Sequence, residues 1–207
     1  MQRPNTIKPL ILDVDTGNIL SLKNIIAKFY DNVKISNSES DLYESTHIFL
    51  PGVGSYSEVM NKIKKKLNIE LLKKKLNEDK SLFLGICVGM QILSSIGYEN
   101  KTSQGLSIIG GKVEKLNTNE NLPHVGWNSI NLKKENKIFK DISDKTDFYF
   151  THSYSFKLSD NNQELSYTNY GVKFTSAISK NNIYGTQFHP EKSQSAGIKL
   201  IKNFLEI

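Results

Sequence analysis

Short apolar runs, each followed by a turn and then by apolar residues at helical spacing, recur through the first half of the chain, and this alternation limits its fold more than any other feature. Pro9-Leu10-Ile11-Leu12 is a run of the buried-strand kind; Asp15-Thr16-Gly17-Asn18 is a turn; Leu22, Ile25, Ile26 and Phe29 then fall at i, i+3, i+4 and i+7. Val33-Lys34-Ile35 and His47-Ile48-Phe49-Leu50 repeat the strand signal. After Pro51-Gly52-Val53-Gly54, a helix is marked by Tyr56, Val59, Met60 and Ile63, and another by Leu71, Leu72 and Leu76. Ser81-Leu82-Phe83-Leu84 reads as a strand running into Gly85-Ile86-Cys87-Val88-Gly89, with Met90-Gln91-Ile92-Leu93 starting a further helix. Such repetition favours a parallel sheet covered on both faces. The second half is richer in strands: Gly111–Val113, Phe148–Phe150, Tyr154–Phe156, Gly171–Phe174 and Ile183–Phe188. Asn181-Asn182, between Ala177-Ile178-Ser179 and Ile183, reads as a hairpin turn, and a last helix carries Ile198, Leu200, Ile201 and Phe204. The expected fold is α/β, with a single open sheet, mostly parallel but mixed, and helices on both faces. No repeat, low-complexity tract or linker interrupts the chain, so residues 1–207 are expected to form a single domain.

Composition removes several classes of function. At 38% hydrophobic and 23% charged, the chain can bury an ordinary core and is neither disordered nor fibrous. No apolar stretch approaches the ~18–20 residues of a membrane helix, and Met1-Gln2-Arg3-Pro4-Asn5-Thr6 lacks the apolar centre of a secretory leader. A cytoplasmic address with no membrane contact is the expectation. The net charge of +6 comes largely from lysines such as Lys64-Lys65-Lys66 and Lys73-Lys74-Lys75, which read as solvated helix faces. Neither an aromatic-interleaved basic stripe nor zinc-finger spacing is present, so no nucleic-acid partner is expected. A basic rim also suits a phosphorylated metabolite or an acidic partner protein. Cys87 is the one cysteine, which leaves no internal disulfide and no cysteine-rich metal site. His47 and His124 read as structural, without metal-ligand spacing, and neither metal nor cofactor is expected.

Most lone cysteines are small buried hydrophobes. The surroundings of Cys87 argue otherwise. Gly85-Ile86-Cys87-Val88-Gly89 is the thiol form of the strand-turn-helix element that presents a nucleophile, in which side chains two positions before or after would collide across the bend. A helix starting just beyond it offers backbone N–H groups and the positive end of a dipole, both of which favour thiolate. Such a nucleophile needs a base and a group to orient the base. His189 follows the strand ending at Phe188, and Glu191 stands two residues on, a spacing of ~6–7 Å on one side of an extended segment. Pro190 between them restricts both backbones. The glycine loop Pro51-Gly52-Val53-Gly54 lies after a strand, at the sheet edge where Cys87 belongs, and its N–H groups suit an oxyanion hole. A phosphate loop is disfavoured because neither glycine fingerprint is present; an ordinary turn remains the competing reading.

Taken together, Gly85-Ile86-Cys87-Val88-Gly89-Met90-Gln91, the 51–54 loop and His189-Pro190-Glu191-Lys192-Ser193 resemble the class I (triad) glutamine amidotransferases. Within that family the chain looks most like the glutaminase subunits of imidazole glycerol phosphate synthases. That narrower likeness rests on Asp13 with Gly17-Asn18, on Pro123-His124-Val125-Gly126-Trp127-Asn128 and on Tyr149-Phe150-Thr151-His152-Ser153-Tyr154, all in the family's order. The resemblance implies hydrolysis of L-glutamine to glutamate and ammonia by a Cys87-His189-Glu191 triad. It places Gly52, Val53, Gly54, Gln91, Ser153 and Tyr154 around the substrate. It also implies a heterodimer with a (β/α)8 cyclase subunit that uses the ammonia to make imidazole glycerol phosphate and a purine precursor in histidine biosynthesis. Asn18, Trp127, Tyr149 and Lys192 match positions at that interface. One departure stands out: Asp13-Val14-Asp15-Thr16-Gly17-Asn18 replaces the family's Asp-Tyr-Gly-x-Gly-Asn. Because the resemblance places that loop against the partner, a related ammonia donor serving a surface-sugar pathway is the alternative.

Overall fold

The computed structural model describes residues 7–207; the opening residues 1–6, read above for the lack of a leader, lie outside them. The first half folds as β1 (Pro9–Leu12), α1 (Ile19–Ile26), β2 (Lys34–Ser36), α2 (Glu39–Glu44), β3 (His47–Gly52), α3 (Tyr56–Lys66), α4 (Ile69–Asn77), β4 (Leu82–Cys87) and α5 (Val88–Gln91). The apolar runs are the strands, and all four residues of β1 and all six of β3 are buried. Amphipathic spacing becomes α1, α3 and α4. Two expectations need correction. The helix after Cys87 is a single turn that ends at Gln91, and Ile92 and Leu93 fold into the turn beyond it. Lys75 is not solvated: its buried Nζ donates to the Tyr43 carbonyl at 2.6 Å and meets Asp79 at 3.1 Å.

The second half holds β5 (Ile96–Gly97), β6 (Ser103–Gln104), β7 (Gly111–Lys115), β8 (His124–Ser129), β9 (Asn131–Leu132), β10 (Asp147–His152), β11 (Tyr154–Leu158), β12 (Glu164–Tyr170), β13 (Val172–Lys180), β14 (Ile183–Thr186) and α6 (Gln194–Leu205). The main sheet has eight strands in the order β2-β1-β3-β4-β14-β13-β12-β9. Its first five are mutually parallel and the rest antiparallel, the mixed sheet expected. Beside it stand a two-stranded ribbon, β10-β8, and a four-stranded sheet, β11-β7-β5-β6. The hairpin expected at Asn181-Asn182 joins β13 to β14, with Asn181 at φ 56°.

Parallel pairing sets the position of the site. Gly52, the end of β3, is in register with Cys87, the end of β4, and β14 runs alongside β4 with Thr186 next to Ile86. The carboxyl ends of three adjacent strands therefore deliver the glycine loop, the thiol and the 187–191 segment to one edge, as parallel α/β sheets do. The ribbon is tied to that edge by two bonds: His189 N–H to the Tyr149 carbonyl (2.8 Å) and Tyr149 N–H to Ser193 Oγ (3.0 Å). Phe148 and Phe188 stack at 4.1 Å beneath them. His47 is a core residue: it packs edge-on to Phe204 of α6, and burial pushes its pKa down to about 4. Among the described residues no helix is long and apolar enough to cross a membrane.

Candidate active site

Cys87 has φ 55° and ψ −112°, a left-handed backbone that a non-glycine residue adopts only where its surroundings enforce it. The flanking glycines show what enforces it. A Cβ on Gly85 would lie 2.4 Å from the Gly89 carbonyl oxygen, and one on Gly89 would lie 1.9 Å from the Leu50 carbonyl oxygen. β4 can bend sharply into α5 only because both positions lack a side chain. The bend carries the sulfur off the strand into a cavity of about 240 Å³ lined by Val53, Gly54, Cys87, Gln91, Glu99, His152, Ser153, Tyr154 and His189, among others.

At Cys87 Sγ the thiol donates to the Thr151 carbonyl (3.9 Å), and Gln187 Nε2 donates to the sulfur (3.7 Å). His189 is 1% exposed, with Nδ1 2.8 Å from Glu191 Oε1. Since the carboxylate only accepts, Nδ1 carries the proton and Nε2 is the nitrogen left for the cavity. Nε2 is buried without a hydrogen bond of ordinary geometry, and catalytic contacts often tighten only with substrate present. Burial alone would lower the His189 pKa, but the electrostatic and hydrogen-bonding influence of Cys87, and then of Glu191, outweighs it and raises the pKa to about 10. The arrangement favours a protonated His189 beside the sulfur.

The structure brings most sequence-predicted residues together. Cys87, His189, Val53, Gly54, Gln91, Ser153 and Tyr154 line one cavity, and Glu191 stands directly behind His189. Gly52 does not line it; there a Cβ would lie 2.9 Å from the Gly89 nitrogen, so this glycine lets the 51–54 loop close against the nucleophile turn. Trp127 and Tyr149 form a separate group: they are cross-strand neighbours on the ribbon, their rings 6.1 Å apart edge to face, with Lys192 Nζ 5.6 Å from the Tyr149 ring. Trp127 is 48% exposed and so is not a core aromatic. Asn18 caps the start of α1, which packs against the turn at Pro190–Lys192. Asp15, the charge that departs from the family pattern, pairs with Lys66 at 2.5 Å.

Two residues of the site escaped sequence reasoning: Gln187, buried beside the Cys87 sulfur, and Glu99, which lines the cavity. Gln187 gave a signal, a buried amide in an otherwise apolar strand end. Glu99 gave none, since no pattern surrounds it. Its Oε2 accepts the Tyr56 N–H at 2.8 Å, and burial raises its pKa.

A family model described as glutamine amidotransferase class-I matches residues 10–207. The chain is 40% identical over 207 residues to the imidazole glycerol phosphate synthase subunit HisH of Pelagibacter ubique, covering 95% of this chain and 98% of that one. It is 42% identical over 200 residues to the subunit of the same name from Buchnera aphidicola, covering 95% and 99%. Among solved structures, a glutamine amidotransferase from Thermotoga maritima aligns with a TM-score of 0.68 at 18% identity, over 98% of this chain and 84% of that one, a likeness of fold.

Proposed function

We infer the activity from one premise, that the chain belongs to the class I glutamine amidotransferase family. It is the glutaminase subunit of an imidazole glycerol phosphate synthase, in which residues 1–207 act as one amidotransferase domain. The observation that carries this reading is the shared cavity, where a strained, glycine-flanked Cys87 and a buried His189–Glu191 pair face the same space.

The chemistry follows from those positions. The Cys87 thiolate adds to the side-chain amide carbon of glutamine, and the C=O π electrons move to oxygen. We assign that oxyanion to the N–H of Val88, next after the nucleophile, and to those of Val53 and Gly54, which line the same cavity. On collapse the C–N bond breaks, and the His189 imidazolium gives its Nε2 proton to the leaving nitrogen, which departs as ammonia. His189, now neutral, takes a proton from water as it attacks the thioester; glutamate leaves and the thiolate returns. Glu191 keeps the ring oriented and offsets its charge. Glutamine also carries an α-ammonium, and Glu99 is, among the described residues, the one carboxylate lining the cavity, which suits it to bind that cation. Both Gln91 donor hydrogens are used, on the Tyr154 carbonyl (2.8 Å) and Gln187 Oε1 (3.0 Å), so Gln91 offers the substrate its carbonyl oxygen.

Ammonia in neutral water is largely protonated and unreactive, which favours transfer inside a complex. Tyr149 of the ribbon's exposed face stands two residues, ~6–7 Å, from Thr151 at the cavity. A (β/α)8 cyclase seated on Trp127, Tyr149, Lys192 and Asn18 would cover a short path from thiol to acceptor. Identity of about 40% to HisH subunits over nearly the full length supports this acceptor over a surface-sugar pathway. The test is glutamine-dependent cyclisation by the chain mixed with such a cyclase, with glutamate measured in parallel. Joint appearance of both products, abolished by Cys87→Ala, is expected. Glutamate release unresponsive to the cyclase would remove the histidine-pathway assignment, and release unaffected by Cys87→Ala would remove the triad.

A further inference from the structure

We propose that His124 and His152 are positioning residues for glutamine: as a hydrogen-bonded pair they fix the Tyr154 carbonyl against Gln91 and so aim the Gln91 amide into the cavity. The inference rests on the glutaminase reading above and extends it to two residues that the triad does not use.

The contacts define a chain in which each proton has one possible place. The Tyr154 carbonyl can only accept, so His152 Nδ1, 2.9 Å away, must donate to it. In a neutral ring His152 Nε2 is then an acceptor, and His124 Nδ1, at 3.2 Å, must be its donor. His124 Nε2 is left to accept from Asn128 Nδ2 at 3.3 Å, and Asn128 Nδ2 also donates to the Asn169 carbonyl at 3.0 Å. Burial holds both rings neutral, His124 at about 4 and His152 at about 3. Protonating either would set two N–H groups against each other.

At its other end the chain meets the substrate site. The Tyr154 carbonyl accepts from His152 and Gln91, which fills both its lone pairs. Gln91 continues to Gln187 Oε1, and Gln187 Nε2 reaches Cys87 Sγ. Although His152 borders the cavity, both its ring nitrogens are occupied, so it acts on glutamine through Tyr154 and Gln91 rather than by direct proton transfer. The rings cannot turn away, because His124 is stacked on Tyr170 at 4.0 Å and on Phe150 at 4.9 Å, and His152 meets Phe174 edge-on at 4.9 Å. That aromatic enclosure also makes phenylalanine a tolerable replacement in volume.

The experiment titrates L-glutamine calorimetrically into the full chain carrying Cys87→Ala, which prevents turnover, alone and with each second substitution, and records thermal unfolding of each. His152→Phe, which keeps the ring and removes both polar atoms, is expected to weaken glutamine binding tenfold or more. His152→Asn, whose amide N–H stands where Nδ1–H stood, should stay within about threefold. His124→Phe should fall between them, and His124→Asn should restore most of the difference, so the comparison survives if Phe at 152 does not fold. Equal affinity loss in the Phe and Asn variants, or lowered melting temperatures with unchanged affinity, would overturn the positioning role. Absence of glutamine binding to the Cys87→Ala chain itself would overturn the glutaminase reading and this inference together, a pattern distinct from the other two.

Discussion

At the scale of single residues, the site is held in place by what is missing as much as by what is present. Gly85→Ala and Gly89→Ala each put a methyl group inside contact distance of a backbone carbonyl. Each is expected to cost ~1–3 kcal/mol of stability and to inactivate the enzyme by unbending the Cys87 turn; denaturant unfolding and glutamate release check the two effects. Cys87→Ser is expected to lower kcat by ~10³-fold or more, because a serine hydroxyl ionises far less readily than a thiol and is the poorer nucleophile, whereas Glu191→Gln should lose only ~10²-fold. The charged form of His189 is the one the fold favours. Its contribution to stability is therefore complete below about pH 6.5, the ordinary imidazole value, and is lost as pH rises through about 10. The melting-temperature gap between wild type and Glu191→Gln should accordingly narrow between pH 7 and 10; a gap that widens would mean His189 is neutral in the fold. The triad was legible in sequence because steric need and chemistry fall on adjacent residues, Gly-x-Cys-x-Gly and His-Pro-Glu. Glu99 and the His124–His152 pair were not, because their partners lie 43 and 28 positions away and only the fold makes them neighbours.

Elements were readable where one face is apolar and the other wet. That condition holds for α3, whose Tyr56, Val59, Met60 and Ile63 are buried, and for α6, and spacing alone finds both. It fails for α2, Glu-Ser-Asp-Leu-Tyr-Glu, which buries only Leu42 and is held by the Ser38 side chain accepting from Asp41 N–H. It fails again for β8 and β12, whose polar residues are satisfied by tertiary contacts: Asn128 on the Asn169 carbonyl, Thr168 Oγ1 on the Ser129 carbonyl. The short α5 was overread because Ile92 and Leu93 continue an apolar pattern while the backbone has already turned. At α3 the element has a functional end. Ser55 N–H and Oγ–H both donate to Glu58 Oε2, anchoring the helix start immediately after the 51–54 loop. Ser55→Ala should cost about 1 kcal/mol in denaturant unfolding, and a freer loop should reduce kcat while leaving glutamine affinity nearly unchanged.

On the scale of the whole molecule, the division between main sheet and ribbon separates what makes the thiol reactive from what faces outward. The parallel half of the main sheet supplies Cys87 and the glycine loop. The β10-β8 ribbon lies across their edge and turns Val125 (56% exposed) and Trp127 (48%) to the outside, an apolar surface that a lone enzyme has no use for. Because Trp127 makes its ring contact with Tyr149 and is half open, little of the fold depends on it. Trp127→Ala is therefore expected to leave unfolding of the isolated chain within about 1 kcal/mol of wild type, while weakening association with the proposed cyclase partner by ~2 kcal/mol or more, roughly thirtyfold in Kd. Calorimetric titration of the two subunits measures the second quantity and thermal unfolding the first. Glutamate release should also become poorly matched to cyclised product as ammonia escapes at the loosened seam. If the substitution instead destabilises the free chain as much as it weakens the complex, the ribbon face is part of the core and the partner must dock elsewhere.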